Sequence, residues 1–250
     1  MTIAPKPPAV SIAITTFKGG AGKTALSINL GAEFGSQGSR TLIVDCDRQQ
    51  SSYRWYMTSK ARNLIGDADN LDVIAVLPGE NLQTCLEAAP LADIHIYDVS
   101  GYAHDRVVEV FQRVDAVVIP VILEPTSATQ AVNISRLLHE IADARQMPVT
   151  PHAAIWNHVD HIALRSNRAI PEVTRILSNG GVSLFETIIR KTNHFSDVVA
   201  GFGTLYTKLR AIDANSEATP SAKKRARESV LDAIDQIKSL NNEFISLIEA

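Results

Sequence analysis

The sequence predicts an α/β fold in which a mostly parallel central sheet is flanked by helices on both faces. Three observations predict it. Short β-branched runs alternate with longer stretches of helical spacing, the pattern of strands joined by crossover helices. Several of those runs are apolar throughout, as strands covered on both faces must be. The chain also has 250 residues with 45% apolar content, enough for one large domain with a full core.

The elements follow in order. "SIAIT" (11–15), "TLIVD" (41–45), "LDVIAV" (71–76), "IHIYD" (94–98), "AVVIPV" (116–121), "HAAIWN" (152–157) and "ETIIR" (186–190) read as strands. Helical patterns lie near 23–37, 81–88, 105–113, 127–145, 165–179 and 193–200. "DANSEATPS" (213–221) reads as a turn or loop before a last helix at about 221–249. The expected organisation is a single domain over 1–250 with a helical C-terminal segment at about 207–250.

Between the first strand and the first helix stands "TTFKGGAGKT" (15–24). A strand–loop–helix turn ending in Gly22, Lys23 and Thr24 is the context of a phosphate-binding loop. Its glycines permit close backbone approach, its N–H groups point inward, and the helix N-terminus adds positive potential. Gly19, Gly20, Ala21, Gly22, Lys23, Thr24 and Ala25 are therefore the candidate nucleotide cradle. Lys23 is placed to reach the β- and γ-phosphates, and Thr24 to put its hydroxyl on Mg²⁺. The usual leading glycine is replaced by Phe17, and a second cation, Lys18, follows it. An unpaired loop cation beside phosphates is costly without an anion, although a solvated loop lysine is the bland alternative.

The pattern K-G-G-x-G-K-T resembles the deviant Walker A box of the ParA/MinD partition and positioning ATPases. "LIVDCDRQQ" (42–50), "IHIYDVSG" (94–101) and "IWNHVD" (155–160) are similar to further segments of that family. The resemblance covers roughly residues 10–205 and implies a P-loop NTPase fold, an ATPase with slow basal turnover, and ATP and Mg²⁺ as cofactors. It implies that Lys18 crosses a dimer interface to the partner's nucleotide, so that ATP binding and homodimerisation are one event. It implies that Asp45 supports the phosphate and Mg²⁺ region, that Asp47 in switch I helps to orient or activate the attacking water, and that Asp98 bonds a Mg²⁺-bound water. Gly101 is implied to let switch II respond to the γ-phosphate, and Asn157 to read the adenine. Arg48 stands where the family has proline, and Val99 and Ser100 replace its usual switch II residues. On the residues alone, the paired acids could instead be a solvated strand end, and an asparagine also ends strands for local reasons. His158 and His161 make a weak metal pair, since no further ligand cluster is evident.

Composition limits the partners. Net charge is −3, so the whole chain is not an electrostatic DNA binder. From Arg190 to Arg227, however, eight Lys/Arg face three Asp/Glu. Arg190, Lys191, Lys208, Arg210, Lys223, Lys224, Arg225 and Arg227 are the candidate DNA-binding residues by resemblance to the ParA branch, where such cations bind without sequence preference. A solvated helix start is the alternative. The MinD branch of the resemblance implies a membrane-lying C-terminal helix. "ESVLDAIDQIKSLNNEFISLIEA" (228–250) has the apolar spacing, but its polar face is acidic and anionic lipid would repel it. That helix is expected to pack on the domain or on a dimer partner, with no membrane binding. Cys46 and Cys85 suggest a reducing compartment and read as buried small hydrophobes. Neither is placed for the dimer-face cluster of a redox enzyme on the same scaffold. "MTIAPKPPAV" has no apolar run, and no stretch approaches the roughly 20 apolar residues that span a bilayer. The sum is a ParA-like ATPase of the short type, cytoplasmic and nucleoid-associated, whose hydrolysis a small adaptor protein stimulates and which moves DNA or a protein cargo. A membrane-bound positioning regulator and a metabolic or redox enzyme are the alternatives.

Overall fold

The computed structural model describes residues 9–101, 104–160 and 169–249. Seven strands form one sheet: β1 (Val10–Thr16), β2 (Thr41–Asp45), β3 (Leu71–Ala75), β4 (Ile94–Ser100), β5 (Ala116–Val121), β6 (His152–Val159) and β7 (Ser183–Arg190). The order is β3-β2-β4-β1-β5-β6-β7. Every pairing is parallel, so the sheet is wholly rather than mostly parallel. β1, β2 and β5 are buried at every position but one, which is why they read as unbroken apolar runs.

The described helices are α1 (Lys23–Ser36), α2 (Ser51–Ala61), α3 (Leu82–Glu87), α4 (His104–Phe111), α5 (Pro125–Arg145), α6 (Ala169–Asn179), α7 (Asn193–Val199), α8 (Leu205–Ala214) and α9 (Pro220–Glu249). One core lies between the sheet and α1, α2, α7, α8 and α9, with Ile12, Leu26, Trp55, Phe195 and Phe244 among its members. The other lies between the opposite face and α4, α5 and α6, around Val107, Phe111, Ile134 and Leu177.

Two helices depart from the expectation. α2 is absent from the expected helices, and α8 is expected only as part of the helical segment at about 207–250; the reason is their buried faces. α2 buries Ser52, Trp55, Tyr56 and Ser59, and α8 buries only Leu205 and Thr207. Neither has the aliphatic stripe that marks an amphipathic helix. The expected helix at 165–179 has its start, 165–168, outside the described residues. β4 runs two residues past Asp98, because Val99 and Ser100 pair with Thr15 and Thr16 of β1.

The C-terminal helix packs on its own domain. α9 buries Val230, Ala233, Ile234, Ile237, Leu240 and Phe244, all in the core beneath β7 and α1. It also closes the edge of the sheet. The Glu243 carboxylate accepts the backbone N–H groups of Glu186 and Thr187 at 2.6 and 2.8 Å, and Gln236 accepts that of Arg190 at 2.7 Å. β7 is an edge strand, and capping its unpaired donors removes a template for pairing with another chain.

Candidate functional site

The parallel order brings three chain segments to one place. β4 lies between β1 and β2, so the loops after β1 and β2 flank Asp98. The register sets Asp98 opposite both Ile14 and Asp45. This is the carboxyl edge at which open α/β sheets bind ligands.

The loop after β1 needs glycine for geometric reasons. Gly22, the N-cap of α1, has φ 81°, the left-handed region that side chains rarely adopt. A Cβ there would also stand 2.5 Å from Asn157 Nδ2. That amide donates to the Ala21 carbonyl at 2.6 Å, and Asn157 is only 2% exposed. Asn157 thus ties the end of β6 to the phosphate loop, a contact that no local pattern announces. Gly19 and Gly20 face open space, Ala21 and Ala25 are buried, and Thr24 is half-buried at the second position of α1. Phe17 explains the lost glycine at the head of the loop: its ring and backbone abut Gly101, where a Cβ would meet Phe17 Cδ1 at 2.0 Å and Cα at 2.8 Å. Gly101 therefore lets the end of β4 lie flush against the phosphate loop.

Lys23 sits at the centre. Its Nζ donates to Asp98 Oδ1 at 2.7 Å and to Asp47 Oδ2 at 3.1 Å. Burial alone would lower its pKa, but the two carboxylates outweigh burial and raise it. Asp47 moves the other way. Burial would raise it, yet the Gln49 N–H and Lys23 hold it below the ordinary carboxylate value. Asp45 is fully buried and accepts the backbone N–H groups of Asp47 and Tyr53, both at 3.0 Å. Burial and the neighbouring Asp98 charge push its pKa up to about 6. Both Asp45 oxygens thus hold the loop after β2, so the structure gives this residue an anchoring task. Ser52, which the sequence reading passed over, donates to Asp98 Oδ2 at 2.5 Å.

Three carboxylates against one ammonium leave the pit with two uncompensated negative charges. That charge excess suits Mg²⁺, which takes one or two carboxylates and fills its other positions with phosphate oxygens and water. The open glycine loop above the pit suits the phosphates.

Lys18, expected to reach outward, lies 3.0 Å from Glu124 Oε2 of its own chain. Glu124 stands at the N-cap position of α5 after β5, and β5 adjoins β1, which explains a contact between residues so far apart in sequence.

The basic segment is less free than its composition suggests. Four of its eight cations are held by carboxylates of the same chain: Arg190 by Asp232 at 2.6 Å, Lys208 by Asp197 at 2.5 Å, Arg210 by Asp69 at 2.9 Å and Arg227 by Asp213 at 2.5 Å. Lys191, Lys223 and Arg225 have no carboxylate partner among the described residues, and Lys224 stands 4.0 Å from Glu228. Lys223, Lys224 and Arg225 lie together at the start of α9, while Lys191 lies at the carboxyl end of β7. Four of the eight charges are therefore matched within the chain itself. Cys46 is buried, which pushes its thiol up to about 12, and Cys85 is half-buried on α3. His161 lies outside the described residues.

Comparison with known proteins bears on the family and the fold. The profile of the CobQ/CobB/MinD/ParA nucleotide binding domain matches residues 12–205. The sporulation initiation inhibitor protein Soj of Bacillus subtilis is 39% identical over 92 residues, and the match spans 34% of this chain and 36% of Soj. The ParA protein of Rhizobium radiobacter is 23% identical over 197 residues, spanning 78% of this chain and 85% of that protein. Among solved structures, the MinD cell division protein of Aquifex aeolicus superposes with a TM-score of 0.62 at 19% identity, over 94% of this chain and 97% of MinD. A plasmid partition protein of Borrelia burgdorferi bound to AMPPNP gives 0.60 at 16% identity, over 90% and 98%. These superpositions establish a shared fold.

Proposed function

The chain belongs to the CobQ/CobB/MinD/ParA nucleotide-binding family, and from that premise we propose that it is a partitioning or positioning ATPase. It binds ATP with Mg²⁺, closes as a homodimer, binds DNA without sequence preference in that state, and releases it on hydrolysis stimulated by a small partner protein. The carrying observation is the Lys23 ammonium seated between Asp98 and Asp47 beneath an open glycine loop.

The residues suggest their parts. Lys23 leaves the two carboxylates for the β- and γ-phosphates. That would leave Asp98 to help hold the cation and Asp47 to orient the attacking water. Thr24 supplies a hydroxyl to the metal, and Asp45 keeps the loop after β2 in place. Mg²⁺ supplies charge neutralisation across the phosphates. Asn157, already under the loop at the end of β6, is the candidate adenine-reading residue. Lys18, released from Glu124, reaches the second subunit's nucleotide.

Two observations favour this reading over the other uses of the scaffold. α9 spends its apolar face and two polar side chains on its own domain, where a membrane-lying helix would present that face to lipid. The raised Cys46 thiol is not a thiolate near neutral pH, so it is a poor redox or cluster ligand. The proposed setting is the cytoplasm, at the nucleoid.

Phosphate release with Mg-ATP tests the proposal. The wild-type protein should turn over slowly. Asp47→Ala should bind ATP, hydrolyse it far more slowly and accumulate as ATP-bound dimer. Unchanged steady-state hydrolysis in that variant would remove Asp47 from the mechanism.

A further inference from the structure

The first turn of α2 touches both buried acids. The Tyr53 N–H donates to Asp45 Oδ2 at 3.0 Å, and the Ser52 hydroxyl donates to Asp98 Oδ2 at 2.5 Å. Ser52 and Asp98 are both fully buried. The hydroxyl is not needed to start the helix, because the N-cap is Gln50, with φ 50° and no side-chain cap. Its single proton goes to Asp98, whose ionised form can only accept.

This places the two Asp98 oxygens in different situations. Oδ1 carries Lys23 at 2.7 Å, a partner that serves the phosphates when nucleotide is bound. Oδ2 carries Ser52 from a helix whose far side is anchored independently: Trp55 Nε1 donates to the Gly203 carbonyl at 3.0 Å, and Arg62 to the Gly201 carbonyl at 3.0 Å. A carboxylate turns readily about its last bond, since that torsion is broad. Once Lys23 departs, only a fixed donor on Oδ2 keeps Oδ1 aimed at the mouth of the pit.

We propose that Ser52 is a positioning residue for the nucleotide-bound divalent cation, acting through Asp98. The inference rests on the Mg-nucleotide reading of the pit. Donors that hold a metal-binding carboxylate from behind are worth roughly 10–100-fold in metal affinity. Ser52→Ala removes the donor. Ser52→Cys keeps the volume and substitutes a weak one, which covers the case in which the alanine variant folds poorly.

The experiment titrates Mn²⁺ into each full-length protein with saturating ADP, reading free Mn²⁺ by electron paramagnetic resonance. It then measures ATP turnover against Mg²⁺ concentration. The Mn²⁺ dissociation constant should rise at least about tenfold for Ser52→Ala and by a smaller factor for Ser52→Cys. The Mg²⁺ half-saturation should rise in step, with turnover at saturating Mg²⁺ within about threefold of wild type. A purely structural serine would lower the melting temperature and leave those constants alone. Wild-type retention of Mn²⁺ with equal retention by both variants overturns the inference while sparing the nucleotide site. No ADP-dependent retention by the wild-type protein overturns both.

Discussion

Removing the Lys23 charge should destabilise the nucleotide-free protein, and by more than an ordinary ion pair would. Lys23→Met keeps the apolar stem and deletes the ammonium. Its side chain is 11% exposed and that of Asp98 is 0% exposed, so the pair is interior, and surface pairs worth under about 1 kcal/mol are the wrong comparison. Deleting one member of a buried pair costs about 3–5 kcal/mol, because the other charge is left buried and unmatched. Here three carboxylates then share the pit with no cation. Partial protonation and the Ser52 hydrogen bond soften the loss, which argues for the lower end, about 3 kcal/mol. For a chain of this size that is a fall of roughly 6–12 °C in melting temperature. Two accompaniments are expected. The deficit should shrink as pH falls, since the unmatched carboxylates bind protons in the native state that the unfolded chain does not. It should also shrink with millimolar Mg²⁺, which should help the variant more than the wild-type protein. Urea and thermal unfolding with and without MgCl₂ measure all three. A deficit below about 1 kcal/mol, together with no response to Mg²⁺, would show that Lys23 is not the internal counter-ion of the pit's carboxylates.

Three further outcomes are expected. Lys18→Ala should lose ATP-dependent dimerisation in light scattering with a non-hydrolysable analogue yet keep monomeric nucleotide binding, whereas Lys23→Ala should damage nucleotide engagement itself; a Lys18→Ala protein that dimerises normally would make Lys18 a mere loop residue. Charge reversal at Lys224 and Arg225 should weaken binding to two unrelated duplexes alike and leave dimerisation intact. With about three phosphate contacts per subunit, wild-type log affinity should fall with log salt at a slope near −5, and equal DNA binding by monomer and dimer would count against the proposal. Asp45 is raised from 3.8 to about 6, so it gains a proton as pH falls through 6 and the pit loses negative charge. Mg²⁺ affinity in the presence of ADP should therefore drop about fourfold from this group between pH 7.5 and 5.5, and calorimetry showing no loss would mean that Asp45 stays ionised.

The readable part of this protein is the part whose cause is local. Strands buried on both faces, such as 116–121, need continuous β-branched residues, and that need is visible in the sequence. So is the glycine loop, because its backbone geometry demands the residue type. Features with distant causes were not visible. Lys18 and Glu124 meet only because β5 lies beside β1. Arg190, Lys208, Arg210 and Arg227 read as free charge, and only the tertiary pairing with Asp232, Asp197, Asp69 and Asp213 shows otherwise. α2 stayed hidden because Ser52 and Ser59 stand where a core-facing helix normally carries aliphatic residues. Ser52 is a serine for the sake of Asp98, so the same residue concealed the helix and supports the site.

The pit and its glycine loop should bind Mg-ATP and so join two chains. Sedimentation velocity with a coloured non-hydrolysable ATP analogue tests it in one run, because absorbance reports bound nucleotide while the boundary reports size. With Mg²⁺ and analogue, the nucleotide should travel with a two-chain species at one equivalent per chain, and the nucleotide-free protein should travel as a single chain. Nucleotide that stays behind the protein boundary, with the chain at the same size in both runs, would contradict it.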